Sequence, residues 1–94
     1  MQVLSTTVID AIAMFSTDRG FTGQGGVSVA RGDESGDGYP AALAAEIFGA
    51  DDAAAHVFVA SNQVVVRRDQ AWDPAGTDLI AGVITRFFVF YDEA

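Results

Sequence analysis

Two short runs of β-branched residues, 57–60 and 64–66, constrain this chain more than any other feature. Ser61-Asn62 separates the two runs, and Asn tolerates the positive φ that tight hairpin turns require. This arrangement predicts a β-hairpin.

The residues that follow the hairpin predict a helix. Asp73 is suited to the N-cap and Pro74 to the first helical position. Beyond them, apolar residues recur at the spacing of one wide helical face, and these are Leu79, Ile80, Val83, Ile84, Phe87 and Phe88. We expect this face to pack against the sheet, and residues 89–91 to follow the helix as an apolar stretch without periodicity.

The first half of the chain repeats this plan. Residues 6–15 predict a strand by their Val, Ile, Thr and Phe content, although the run also suits a short helix. A glycine-bearing connector over 16–26 and the alternating run 27–29 then predict a second strand, paired with the first in a hairpin. Tyr39-Pro40 begins a predicted helix that ends at Gly49 as a C-cap.

The order strand, strand, helix, strand, strand, helix predicts an α+β fold. We expect a two-layer sandwich in which a four-stranded antiparallel sheet carries both helices on one face. The other face of the sheet is then open to water or to a partner. A length of 94 residues predicts a single domain over 1–94.

Composition narrows the possible functions. The chain has no Cys, which excludes thiolate nucleophiles and cysteine-held metal or iron–sulfur centres. Its net charge of -8 makes nucleic acid a poor partner, because binding nucleic acid requires clustered basic charge. No run approaches the ~20 apolar residues that cross a bilayer, and no basic segment precedes an apolar one at the N-terminus. We therefore expect a cytoplasmic protein without a membrane partner.

Few residues suggest chemistry. Asp33, Glu34 and Asp37 could hold a metal ion through oxygen atoms, but their spacing lacks the calcium-loop pattern and favours a solvated loop. His56 has no evident partner for metal binding or catalysis and is typical of a structural residue. These features predict neither an enzyme nor a bound cofactor.

Arg67, Arg68 and Trp72 form the strongest candidate binding group. Two arginines beside an indole could bind a carboxylate by paired hydrogen bonds and cation–π stacking, or could simply compensate an acidic surface.

Several apolar motifs resemble the N-terminal domain of Nfu, the NifU-like iron–sulfur scaffold family. The similar segments are the proline-led run 40–48, the hairpin runs 57–59 and 63–66, Trp72-Asp73 and the upstream run 14–19. The family's pattern has a helix of the form P-L-A-x-x-L-F, a Val-rich hairpin, a Trp and a closing helix rich in Ile and Phe. Its cluster-binding C-x-x-C belongs to a separate C-terminal domain, so the resemblance implies a stand-alone domain that is not itself a cluster carrier.

The resemblance implies a non-catalytic protein-interaction module that is accessory to iron–sulfur cluster assembly, with assembly factors as partners. It also implies that the indole of Trp72 packs across the junction between the hairpin and the helix, as a structural residue before a binding one. The alternative is a small-ligand or metal-ion-binding protein that uses the acidic loop or the surface of Arg67, Arg68 and Trp72. We expect a monomer rather than a homodimer, although the apolar run 89–91 must either fold back or meet another subunit.

Overall fold

The computed structural model describes residues 3–17, 26–32, 39–60 and 62–92. Its seven elements, in chain order, are β1 (Val3–Ile9), β2 (Ile12–Thr17), β3 (Gly26–Ala30), α1 (Tyr39–Ala50), β4 (Ala54–Ala60), β5 (Gln63–Arg68) and α2 (Pro74–Asp92). The strands form one sheet in the order β1-β2-β5-β4-β3, and every neighbouring pair is antiparallel. The predicted α+β class and antiparallel sheet are confirmed, whereas the predicted number of four strands is wrong.

The additional strand arises inside the run 6–15, which is predicted as one strand. The chain reverses at Asp10 and Ala11, and Ile9 pairs directly with Ile12 across this two-residue turn. Asp10 has a φ of 52°, a left-handed conformation that Asp adopts more readily than β-branched residues do. Apolar residues on both sides of Asp10 conceal the turn in the sequence.

The predicted hairpin between the strands on either side of the glycine-bearing connector is also wrong. β2 pairs with β1 and β5, whereas β3 pairs with β4 at the far edge of the sheet. Two strands, β5 and β4, therefore lie between β2 and β3. The connector itself, apart from residues 16, 17 and 26, lies outside the described residues.

The hairpin around Ser61-Asn62 is confirmed as β4 and β5, with Ala60 paired with Gln63. Its turn is fastened to the end of β2. Thr17 donates its backbone N–H to the carbonyl oxygen of Asn62 at 2.8 Å, and the Asn62 side-chain Nδ2 donates to the carbonyl oxygen of Thr17 at 3.2 Å. This exchange joins the N-terminal and C-terminal hairpins at one end of the sheet.

Both helices pack on the same face of the sheet, as expected. The core they form with the strands includes Ala13, Phe15, Val29, Leu43, Ala44, Ile47, Phe48, Ala54, Val57, Val59, Val64, Val66, Trp72, Ile80, Val83 and Ile84. In α1, Leu43, Ala44, Ile47 and Phe48 are buried against the sheet. In α2, Ile80, Val83 and Ile84 are buried, but Leu79 is 45% exposed, since it lies on the flank of the stripe.

The helix boundaries differ from the expected ones at their C-terminal ends. α1 continues through Gly49 to Ala50, so Gly49 does not act as the C-cap. α2 runs to Asp92 and includes residues 89–91, which were expected to follow it. At its start, Asp73 Oδ1 accepts the backbone N–H of Gly76 at 2.7 Å, which confirms Asp73 as the N-cap.

Candidate functional site

The side chain of Arg68 is enclosed where β5 leaves the sheet. Its Nη2 donates a 3.2 Å hydrogen bond to Oδ1 of Asp51, and its Nε lies 2.9 Å from Oδ2 in an orientation that makes an ionic contact rather than a hydrogen bond. The two side chains are 9% and 8% exposed. Asp51 follows α1, so this pair connects the end of α1 to the end of β5.

Trp72 completes the same junction. Its indole Nε1 donates to the carbonyl oxygen of Ala11 at 2.9 Å, its ring lies edge-to-face on Phe15 at 6.1 Å, and the Arg68 guanidinium carbon lies 4.8 Å from its ring centre. The residue is 9% exposed. Trp72 is therefore buried at the junction between the hairpin and α2, in the structural position expected for it.

A second arginine stabilises the C-terminal end of α1. Arg31 donates from Nη2 to the carbonyl oxygens of Phe48 and Asp51, at 3.1 and 2.7 Å, and from Nε to the carbonyl oxygen of Ala54 at 2.7 Å. Backbone carbonyls at a helix C-terminus lack hydrogen-bond donors within the helix and carry partial negative charge. A guanidinium supplies both the donors and the opposite charge. The guanidinium of Arg31 is thus engaged in hydrogen bonds to the backbone of its own chain.

Arg67, Arg68 and Trp72 do not form one surface. Val66 is fully buried on the helix-covered face, and successive residues of a strand face opposite sides, so Arg67 projects to the open face and Arg68 to the covered one. The strand alternation could have shown this separation from the sequence alone. Arg67 is exposed, and its side chain forms no ion pair within the part of the chain that the structure describes.

We use the name open face for the sheet surface opposite the helices, and no described element packs on it. Strand register assigns to it Ser5, Thr7, Ile9, Ile12, Met14, Ser16, Gly26, Ser28, Ala30, His56, Phe58, Ala60, Gln63, Val65 and Arg67. The free sheet face agrees with the prediction from the sequence, but Arg67 alone among its residues is a predicted site residue.

An apolar row crosses the middle of the open face. Met14 pairs with Val65, which pairs with Phe58, and all three side chains are half-buried. Ile9 and Ile12 extend the apolar surface at one end and are 63% and 39% exposed. The Phe58 ring lies over Gly26, which has no side chain to displace it. Neighbouring apolar groups left in contact with water are typical of surfaces that bind another molecule.

The charge of the open face contrasts with that of the chain. The sequence has 13 Asp and Glu residues, yet none occupies any open-face position. The face carries Arg67, with His56 paired to it on the neighbouring strand. His56 is half-buried and stands beside a cation rather than a carboxylate. This arrangement can hold an apolar surface and one carboxylate of a partner.

Neither a metal site nor a membrane span is found in the described part of the chain. No three His, Asp or Glu side chains are grouped there as metal ligands would be. Asp33, Glu34 and Asp37 lie outside the described residues, so a metal site at this loop stays a prediction. None of the described helices has the length and apolar character to cross a bilayer.

Comparisons with known proteins support the fold. The sequence matches no known family and no curated protein. The structure is similar to that of protein SAV1430 from Staphylococcus aureus, with a TM-score of 0.67 and 13% sequence identity. The similarity covers 89% of this chain and 99% of that one. At this identity the likeness shows the fold alone.

Proposed function

We propose that this chain is a non-catalytic protein-interaction module that binds its partner through the open face. The observation that supports it is the apolar row of Met14, Val65 and Phe58 on a sheet face without carboxylates. Burying this row against a partner would remove apolar surface from water at about 25 cal/mol per Å². Such a contact would use the surface that the fold itself leaves unused.

Arg67 gives the proposed contact its chemical preference. An exposed guanidinium beside an apolar row favours a partner surface that has aliphatic or aromatic side chains and at least one carboxylate. Because the chain is acidic overall, a partner carboxylate would be attracted to Arg67 more strongly than to most of the remaining surface. The charge pattern therefore orients the partner as well as attracting it.

The cellular context in this proposal comes from the resemblance in residues 40–48, 57–59 and 63–66 to the Nfu N-terminal domain. On that basis the partner is an iron–sulfur cluster assembly factor, and this chain acts as an accessory domain in a soluble, cytoplasmic setting. Small-ligand binding is the weaker alternative, since Arg68 and Trp72 are already engaged with Asp51 and Ala11.

The test uses a charge placed in the middle of the open face. Val65→Asp introduces a carboxylate between Met14 and Phe58, and Arg67→Glu reverses the charge beside it. Gln70→Asp is the matched control, because it adds one carboxylate at an exposed position outside the open face. Partners are captured from the native host with the wild-type protein, purified, and measured against each variant by calorimetry.

We expect Val65→Asp and Arg67→Glu each to weaken binding by roughly tenfold or more, and Gln70→Asp to leave it unchanged. Equal affinity for all four proteins would refute the open face as the binding surface. Identification of the captured partner tests the cellular context separately, and a partner unrelated to iron–sulfur assembly would remove that part of the proposal alone.

A further inference from the structure

β1 is a sheet edge of unusual composition. Among the described residues it pairs with β2 alone, and its sequence Val-Leu-Ser-Thr-Thr-Val-Ile contains neither a charged residue nor proline. Natural edge strands usually carry charges or proline, because free backbone groups otherwise invite another strand. A bulge near Leu4 is the one irregularity of β1. The middle of β1 is therefore an accessible template for strand addition.

Strand register identifies the free backbone groups of this edge. The two-residue turn makes Ile9 and Ile12 a hydrogen-bonded pair, and hydrogen-bonded and non-hydrogen-bonded pairs alternate along an antiparallel ladder. Thr6 and Val8 consequently direct their N–H and C=O groups away from β2. Both residues are exposed. The edge thus offers two donors and two acceptors to an added strand.

A groove of about 500 Å³ lies beside the same strand. It is lined by Val3 of β1 and by Ala81, Gly82, Thr85 and Arg86 of α2. Small residues on this side of α2 leave the space open. A Cβ atom at Gly82 would lie 3.1 Å from Nη1 of Arg86, so the exposed guanidinium stands over the glycine. The groove is thus apolar along its walls and has a cation beside it.

We infer that the β1 edge and this groove form a second binding site, which takes an extended segment of a partner protein as an additional strand. Backbone bonds to Thr6 and Val8 would hold the segment, an aliphatic side chain would enter the groove, and a carboxylate would reach Arg86. Arg86 is exposed, and its side chain makes no ion pair with another described residue. This site lies apart from the open face and does not depend on the function proposed for it.

A second copy of this chain fits the site less well than a partner segment does. Each copy carries a net charge of -8, so two copies repel each other over long distances. The uncharged edge and the cation at Arg86 instead suit a short segment that brings a single acidic residue. Dimerisation through β1 is accordingly an outcome that counts against this inference.

The test is selection of random dodecapeptides displayed on phage against the immobilised wild-type protein, followed by fluorescence anisotropy with each selected peptide. Three variants address the three contacts. Thr6→Pro removes an outward N–H at an edge position where proline is tolerated, Gly82→Leu fills the groove, and Arg86→Gln removes the charge. Val65→Asp on the open face is the control, and far-ultraviolet circular dichroism confirms that each variant is folded.

We expect selected peptides to alternate aliphatic and polar residues and to carry one acidic residue. Thr6→Pro and Gly82→Leu should each weaken their binding at least tenfold, and Arg86→Gln about fivefold, while Val65→Asp has no effect. Gly82→Leu and Arg86→Gln leave β1 unchanged, so they keep the test valid if Thr6→Pro does not fold.

Three outcomes would overturn the inference. The first is a selection that yields no peptide sensitive to the groove variants. The second is a loss of peptide binding in Val65→Asp, which would show that the peptides bind the open face instead of the β1 edge. The third is a wild-type dimer in sedimentation that Thr6→Pro converts to monomer, which would assign the edge to a second copy.

Discussion

Arg68 and Asp51 form an ion pair that is almost completely withdrawn from water, with 2.9 Å between Nε and Oδ2. The pair connects the end of β5 to the segment after α1, two places that are distant in sequence. Oδ1 of Asp51 also accepts the backbone N–H of Ala53 at 3.0 Å, so the carboxylate orders the start of β4 as well. One carboxylate therefore fixes three segments of the chain.

Removing Arg68 should destabilise the protein strongly. Arg68→Met leaves the Asp51 carboxylate buried without its cation, which costs about 3 to 5 kcal/mol. In the double variant Arg68→Met/Asp51→Asn, the amide keeps an acceptor for Ala53 without the charge, so roughly 1 to 3 kcal/mol should return. Urea denaturation measures each value. Arg67→Met, on the open face, is the control and should change stability by less than about 0.5 kcal/mol.

Trp72 should contribute to stability by two separable routes. Trp72→Ala removes the ring from the junction and should cost about 3 to 5 kcal/mol. Trp72→Phe keeps an aromatic ring against Phe15 but removes one of two donors to the carbonyl of Ala11, which still accepts the backbone N–H of Arg68, so it should cost about 1 kcal/mol. Thermal and urea unfolding followed by circular dichroism distinguish the two. A Trp72→Phe protein as stable as the wild type would contradict the role of the hydrogen bond, and equal losses for both variants would contradict the role of the ring.

The left-handed conformation of Asp10 predicts a selective response to substitution. Asp10→Gly should retain full stability, because glycine adopts a φ of 52° without strain. Asp10→Val should lose about 1 to 2 kcal/mol, since a β-branched residue is strained there. Asp69→Val makes the same exchange at an exposed position without positive φ and serves as the control in urea denaturation. A neutral Asp10→Val would contradict the turn geometry.

Gly26 and Phe58 should behave as a coupled pair. A side chain at Gly26 would occupy the space of the Phe58 ring, so Gly26→Val should cost about 1 to 3 kcal/mol. In a Phe58→Ala background the same change should cost much less, because the space is then open. A double-mutant cycle in urea measures the coupling. Ala30→Val, on the same strand and face, is the control and should lie within about 0.5 kcal/mol.

Local sequence signals predicted the elements that have strong local chemistry. The turn at Ser61-Asn62 and the cap at Asp73 are confirmed because a short polar residue determines each of them within a few positions. The turn at Asp10 was missed because a single residue with φ above zero leaves no trace in apolar periodicity. The order of the strands could not be predicted for a related reason. The pairing of β3 with β4 depends on packing between distant segments rather than on a local sequence signal.

The candidate site was predicted only in part. Arg67 is on the open face, but Arg68 and Trp72 are in the interior, a difference that the alternation of strand residues implies. The apolar row of Met14, Val65 and Phe58 comes from three strands, and only their register brings the residues together. A single sequence does not contain that register. The absence of carboxylates from the open face can be recognised only when the strand register is known.

The central pairing of β2 with β5 has a consequence for the rate of folding. It joins Phe15 to Val64, residues about fifty positions apart, whereas the β1–β2 and β4–β5 hairpins close over a few residues. Both hairpins can therefore form early, and the sheet becomes continuous only when this long loop closes. Phe15→Leu should slow refolding in stopped-flow experiments, while Val29→Ala, at the far edge, should mainly accelerate unfolding. The rate at which β2 pairs with β5, rather than the rate at which the edge strands pair, then determines how long the apolar strands remain exposed and able to aggregate.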